Sequence, residues 1–183
     1  MKNLIYTVFA LLLMANVSAQ EINWVSFEEA VALQKKQPRK ILMDVYTNWC
    51  GPCKMLDRNT FQNADVADYV NKNYYAVKFN AEGNKNVTFK DQTFKNPNYD
   101  PAKSNRRNSS HEFTRFLRVN AYPTVVFFDE DLNLIAPIRG YQSPQQLELY
   151  LKLFEKDKYK EMTTQEAFNT YYKNFKPQFK TSK

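Results

Sequence analysis

Apolar and polar residues change rhythm several times along this chain, and each rhythm predicts an element. Residues 4–14 form an unbroken apolar run. Further on, Phe27, Ala30, Val31 and Leu33 recur at helical spacing behind Ser26 and Glu29, which stand at capping-box distance. A helix ending near Pro38 is expected there. Residues 41–46 are almost continuously apolar, as in a strand buried on both faces, with Asp44 the anomaly in the middle. Helical stretches are predicted after residue 50 through Met55 and Leu56, and again over 65–72. A second strand is predicted over 74–80, with Lys78 inside it. Residues 81–110 break the pattern with Gly83, Pro97, Pro101, many Asn and several Lys; they read as an insertion containing a small hairpin from Val87, Thr88, Phe89 and Thr93, Phe94. A helix over 110–119, a strand over 125–128, a turn over 129–131 and a last strand over 132–138 follow. Ser143, Pro144 and Gln146 supply an N-cap, an early-turn proline and a capping-box glutamine for a helix running to about Glu155. Thr163 with Glu166 predicts one more helix before Pro177 and a basic tail. The order of elements predicts an α/β sandwich around a central mixed β-sheet flanked by helices. No internal repeat is visible.

The N-terminal run of eleven residues is well short of the roughly 20 that a spanning helix needs. Lys2 precedes it, and Val17 and Ala19 are small residues at the positions a signal peptidase reads. Residues 1–19 are therefore read as a secretory signal cleaved between Ala19 and Gln20, which predicts a periplasmic or secreted protein. Residues 20–156 would form the main domain, and 157–183 a C-terminal helical extension with a basic tail.

Composition removes several classes of function. The chain has 183 residues and a net charge of +7, but its lysines and arginines are interleaved with acidic residues. The densest basic stretch, with Lys103, Arg106 and Arg107, lies in a polar segment and reads as solvated surface, so no nucleic-acid partner is expected. Three glycines leave no room for a glycine-rich nucleotide-binding loop. Zinc needs four ligands, and Cys50, Cys53 and His111 are the only soft ones available, so no metal is expected. His111 reads as a surface or cap residue at a helix start. No cofactor is implied.

The chemistry concentrates at Cys50 and Cys53, two residues apart where a buried strand gives way to a helix. Thiol–disulfide exchange requires a thiolate, and unpaired N–H groups at a helix start favour that anion. A second thiol one turn inward can displace a mixed disulfide. Pro52 suits an early helical position, and Gly51 leaves the approach to the first sulfur open. As a structural staple the pair would close so short a loop that it adds only about 2 kcal/mol. A haem attachment would need His directly after Cys53, where Lys54 stands. Inert buried thiols remain the other alternative.

The segment Trp49, Cys50, Gly51, Pro52, Cys53, Lys54 resembles the active-site motif of the thioredoxin family, and the resemblance extends over residues 24–154. Asp44, six residues before Cys50, matches the family's buried aspartate, and Lys78 its buried lysine. Tyr122, Pro123 and Thr124 match the loop whose proline is cis and faces the cysteines; Gly140 matches the glycine after the last strand. The resemblance implies a thioredoxin-like sandwich of the kind found in Bacteroidetes periplasms, acting as an exported thiol–disulfide oxidoreductase. Cys50 would be the nucleophile and Cys53 the resolving thiol, together a redox disulfide, with Asp44 relaying a proton and Lys78 tuning it. Trp49, Gly51, Pro52, Tyr122, Pro123 and Thr124 would contact substrate, Trp49 as an apolar lip. The implied partners are disulfide-bearing proteins and a membrane electron donor, with the chain a monomer. Oxidase or isomerase action and a non-catalytic binding module are the alternatives. The chain departs from the family at Tyr46, where a tryptophan is usual, in the insertion after the third strand, and in the residues beyond 157.

Overall fold

The computed structural model describes residues 21–181; the predicted signal segment, its cleavage point and the last two residues lie outside them. Alternating strands and helices open the described chain and set its layers. Strand β1 (Trp24–Val25) leads into helix α1 (Phe27–Lys36), β2 (Lys40–Tyr46), and α2 (Gly51–Leu56), which continues as a π-turn over Asp57–Phe61. Then come α3 (Ala64–Asn73), β3 (Tyr74–Asn80), a hairpin of β4 (Val87–Phe89) and β5 (Gln92–Phe94), α4 (Glu112–Phe116), β6 (Thr124–Phe128), β7 (Leu134–Arg139), α5 (Pro144–Glu155) and α6 (Gln165–Asn174). The main sheet has the order β1-β3-β2-β6-β7, with β1, β3 and β2 parallel and β6 and β7 antiparallel to their neighbours. It is the mixed sheet flanked by helices that the element order predicted.

The two-residue period of a strand divides β2 between two cores. Ile41, Met43 and Val45 face one layer, with Phe27 of α1, Phe79, Phe113 of α4, and Val87, Phe89 and Phe94 of the hairpin. Leu42 faces the other, with Leu56 of α2, Val66 and Val70 of α3, and Leu147 and Leu151 of α5. Asp44 shares the parity of Leu42, so its carboxyl belongs to the layer that holds α2. Its neighbour across the parallel β2–β3 pair is Lys78. The fold thus brings Asp44 and Lys78 together beneath the helix that begins after Cys50.

Several boundaries differ from expectation for identifiable reasons. Residues 81–110 bury three of the core's aromatic and branched side chains, so they are part of the fold rather than a surface excursion. Lys90 and Asp91, both with positive φ, make the two-residue hairpin turn. The predicted helix over 110–119 is shorter because Arg118 turns left-handed at φ 55°. The last strand begins at Leu134, since Leu132 has φ 60° and belongs to the turn. Thr164, not Thr163, caps α6, its hydroxyl accepting from the Ala167 N–H. Ser143 and Gln146 form the complete reciprocal box, whereas at Ser26 only the hydroxyl bond to Glu29 N is made.

Candidate active site

Cys50 caps α2, and its sulfur accepts the Cys53 N–H at 3.1 Å. Pro52 lies in the first turn, where a missing N–H costs nothing. Cys50 and Cys53 form a disulfide with an S–S distance of 2.05 Å and Cα atoms 5.3 Å apart, the oxidised state of a dithiol. Both are buried, at 3% and 6% exposure. Gly51 is exposed and a Cβ there would meet nothing within 4 Å, so the surface over the pair is open beside it.

Asp44 is 2% exposed, and its Oδ1 is buried without a hydrogen-bond partner. Burial pushes its carboxyl up to about 7, with the Lys78 ammonium opposing and Asp57 adding to the rise. Asp44, Cys53, Asp57, Lys78 and Asn105 line one cleft of about 470 Å³, together with residues 46–48 and Lys54. The buried carboxyl and the second cysteine therefore share a polar space. Lys78 departs from the expectation of a buried lysine: it is half-buried and ion-paired with Asp57 of the π-turn. Its ammonium also lies 5.0 Å from the Trp24 ring and 5.7 Å from that of Tyr46, the position where the resemblance led one to expect tryptophan.

The Tyr122–Pro123 peptide bond is cis. Pro123 is buried, and its carbonyl accepts from the Gly140 N–H at 2.8 Å; Gly140 takes φ 84°, which suits a residue without a Cβ. Thr124 opens β6 in register with Val45, one residue beyond Asp44. Tyr122 meets Trp49 edge to face with ring centroids 6.2 Å apart. The tyrosine–proline loop and the cysteine motif therefore adjoin through Trp49.

Trp49 is half-buried and held from several sides. Its indole N–H donates to Glu82 Oε2 at 2.7 Å, and the Arg107 guanidinium lies 4.8 Å from its ring. Both partners come from the insertion, and periodicity could not have found them, because that stretch has none. His111 was expected at the surface or as a cap; it is a cap, but wholly buried. Its Nδ1 accepts from Phe113 N, and Nε2 faces the Lys85 carbonyl at 3.0 Å.

The chain matches the thioredoxin-like domain family over residues 27–155, and it belongs to that family. With the Cys50–Cys53 pair, this places it in the class of thiol–disulfide oxidoreductases. A thioredoxin-fold protein from Helicobacter pylori is 19% identical, with a TM-score of 0.57 over 74% of this chain and 81% of that one. A Bacteroides thetaiotaomicron protein provisionally called a disulphide-isomerase is 25% identical, with a TM-score of 0.51 over 75% of this chain and 95% of that one. The oxidoreductase DsbH is 18% identical, with a TM-score of 0.50 over 77% and 87% of the two chains. A search among proteins of curated function finds no significant match.

Proposed function

We propose that this protein is an exported protein-disulfide reductase. The observation that carries this reading is the Cys50–Cys53 pair, its second sulfur sharing a cleft with the buried Asp44 carboxyl. In the reduced protein the Cys50 thiolate attacks one sulfur of a substrate disulfide and expels the other as a thiolate. The Cys53 thiolate then attacks Cys50 Sγ, which closes the Cys50–Cys53 disulfide and releases the second substrate thiol. Two electrons and two protons pass to the substrate. Asp44 accepts the Cys53 proton during the second step, a task suited to a carboxyl raised to about 7. Lys78, tied to Asp57, limits that rise.

Trp49, Gly51, Pro52 and the Tyr122–Thr124 backbone would receive the substrate chain beside Cys50. A dithiol donor in the membrane would restore the reduced state. The signal-like residues 1–19 support export, and no described helix is long and apolar enough to cross a membrane. The chain would act as a monomer, with residues 157–181 as an extension that braces the domain.

Glycine and proline between the cysteines support reduction, as in thioredoxins. The name of the Bacteroides relative favours a second reading, isomerisation of substrate disulfides. Insulin reduction with a thiol donor and the reduction potential of the pair separate these readings. A potential near −270 mV, about that of thioredoxin, supports the reductase; a value near −120 mV, about that of the strongest oxidants, rejects it. Absence of insulin reduction by a folded, reduced sample would reject catalysis altogether.

A further inference from the structure

Besides Glu82, which holds the Trp49 indole, the insertion reaches the redox motif through one short segment, residues 104–108. The Ser104 carbonyl accepts from Asn48 Nδ2 at 2.8 Å. Asn105 lines the cleft that holds Cys53 and Asp44. Arg107 lies over the face of Trp49, the residue before Cys50. The Asn108 N–H donates at 2.9 Å to the same Glu82 oxygen that holds the Trp49 indole. The segment is thus a wall beside the cysteines rather than a loop that passes near them.

The charge of this wall is one-sided. Arg106 and Arg107 are exposed, and among the described residues neither has a carboxylate within ion-pair distance; the same holds for Lys54, immediately after Cys53. The nearby carboxylates are committed. Glu82 accepts from Trp49 and Asn108, Asp57 pairs with Lys78, and Asp100 faces Lys103 at 3.4 Å. A guanidinium stacked on an indole keeps its edges free to bind a carboxylate in two-point geometry. We propose that residues 104–108 form a specificity wall of the active site, and that Arg106 and Arg107 select protein disulfides flanked by acidic residues. The inference rests on disulfide exchange at Cys50 and adds the substrate class to it.

Two peptides with the same disulfide test it, one with aspartates beside the cysteines and one with lysines. A small neutral disulfide is the control. The reduced full-length protein should turn over the acidic peptide with a kcat/KM about tenfold above the basic one at low salt, and the ratio should shrink as salt screens charges beyond about 10 Å. In the Arg106→Glu, Arg107→Glu double variant the preference should invert, read as the ratio of acidic-peptide to basic-peptide kcat/KM within the one protein. Arg107→Lys keeps the charge without the planar stack and should retain the preference, which separates charge from packing. A parent ratio of one with active turnover of the neutral disulfide overturns the inference and leaves exchange intact. No turnover of any of the three overturns exchange and this inference with it. A preference that survives the double charge reversal assigns the selectivity elsewhere and overturns the role of the wall.

Discussion

At the scale of single residues, Asp44 carries the sharpest expectation. Its folded carboxyl titrates at about 7, against an ordinary 3.8. A raised folded value means that the native state binds its proton more tightly than the unfolded chain. The resulting stability is fully present below about pH 4 and is lost as pH rises through about 7. The difference at alkaline pH is on the order of 4 kcal/mol. Asp44→Asn cannot ionise, so its advantage over the parent should be small at pH 4 and large at pH 9. Urea unfolding at the two values checks this; an equal difference at both would mean that Asp44 is not a buried titrating acid. The same variant should prolong the mixed disulfide, because Cys53 loses its proton acceptor. The cysteines themselves are assigned by trapping. Cys53→Ser should accumulate reductant-sensitive complexes with substrate through Cys50, and Cys50→Ser should accumulate none. Non-reducing gels decide it, and equal trapping by both would reverse the roles.

At the scale of elements, the short helix α4 has a titratable cap. Burial lowers the pKa of His111 from its usual 6.5, with the Lys85 carbonyl and Glu112 opposing and Arg115 assisting. A depressed folded value gives stability that is present above about 6.5 and lost as pH falls. Protonated Nδ1 can no longer accept the Phe113 N–H. Acidification from pH 7 to 5 should therefore lower the amide-exchange protection factors, that is, exchange relative to the intrinsic rate at each pH, in α4 and in the hairpin packed on Phe113. His111→Asn, which keeps a capping oxygen, should flatten that response. An acid response unchanged in the variant would assign it to other groups. His111 also shows where sequence reading stops. Its place at a helix start was legible from the change in pattern, but its burial depends on Phe79 and on the Lys85 carbonyl, which a linear pattern cannot display. Strands β2 and β3 were readable because they are buried apolar runs, and Cys50, Cys53 and Asp44 because their spacing is distinctive. Strand β1 has only two residues and carries no period. Glu82 and Arg107 join the site through contacts that span dozens of residues, so no local rule points to them.

At the scale of the whole molecule, the C-terminal residues close over α3 and α5 as a strap. Glu148 is fully buried, and its carboxylate accepts the Gln178 and Phe179 N–H groups at 2.8 Å each while pairing with Lys152 at 2.6 Å. Phe179 packs on Tyr69 at 5.7 Å, and Lys180 N donates to Asp65 at 2.7 Å. Glu148→Gln removes the charge and one acceptor oxygen, leaving the Lys152 ammonium without its carboxylate and two N–H groups sharing a single carbonyl, so it should lower stability by about 2–3 kcal/mol. Truncation after Asn174 should lower the melting temperature as well. Neither change reaches the cysteines, so insulin reduction at a temperature where both proteins are folded should persist. A truncated chain that melts with the parent would show that the strap merely lies on the surface.

The grip of Glu82 on the Trp49 indole has a consequence for inheritance and engineering. The hexapeptide from Trp49 to Lys54 is not a portable cassette, since one of its ends is anchored by a residue more than thirty positions downstream. Transplanted to a scaffold without the insertion, it would carry the sulfurs but leave the indole unanchored. Conversely, shortening residues 81–110 would alter the motif without touching any of its six letters. Motif and insertion are therefore expected to change together as one heritable unit, and libraries that vary one should vary the other.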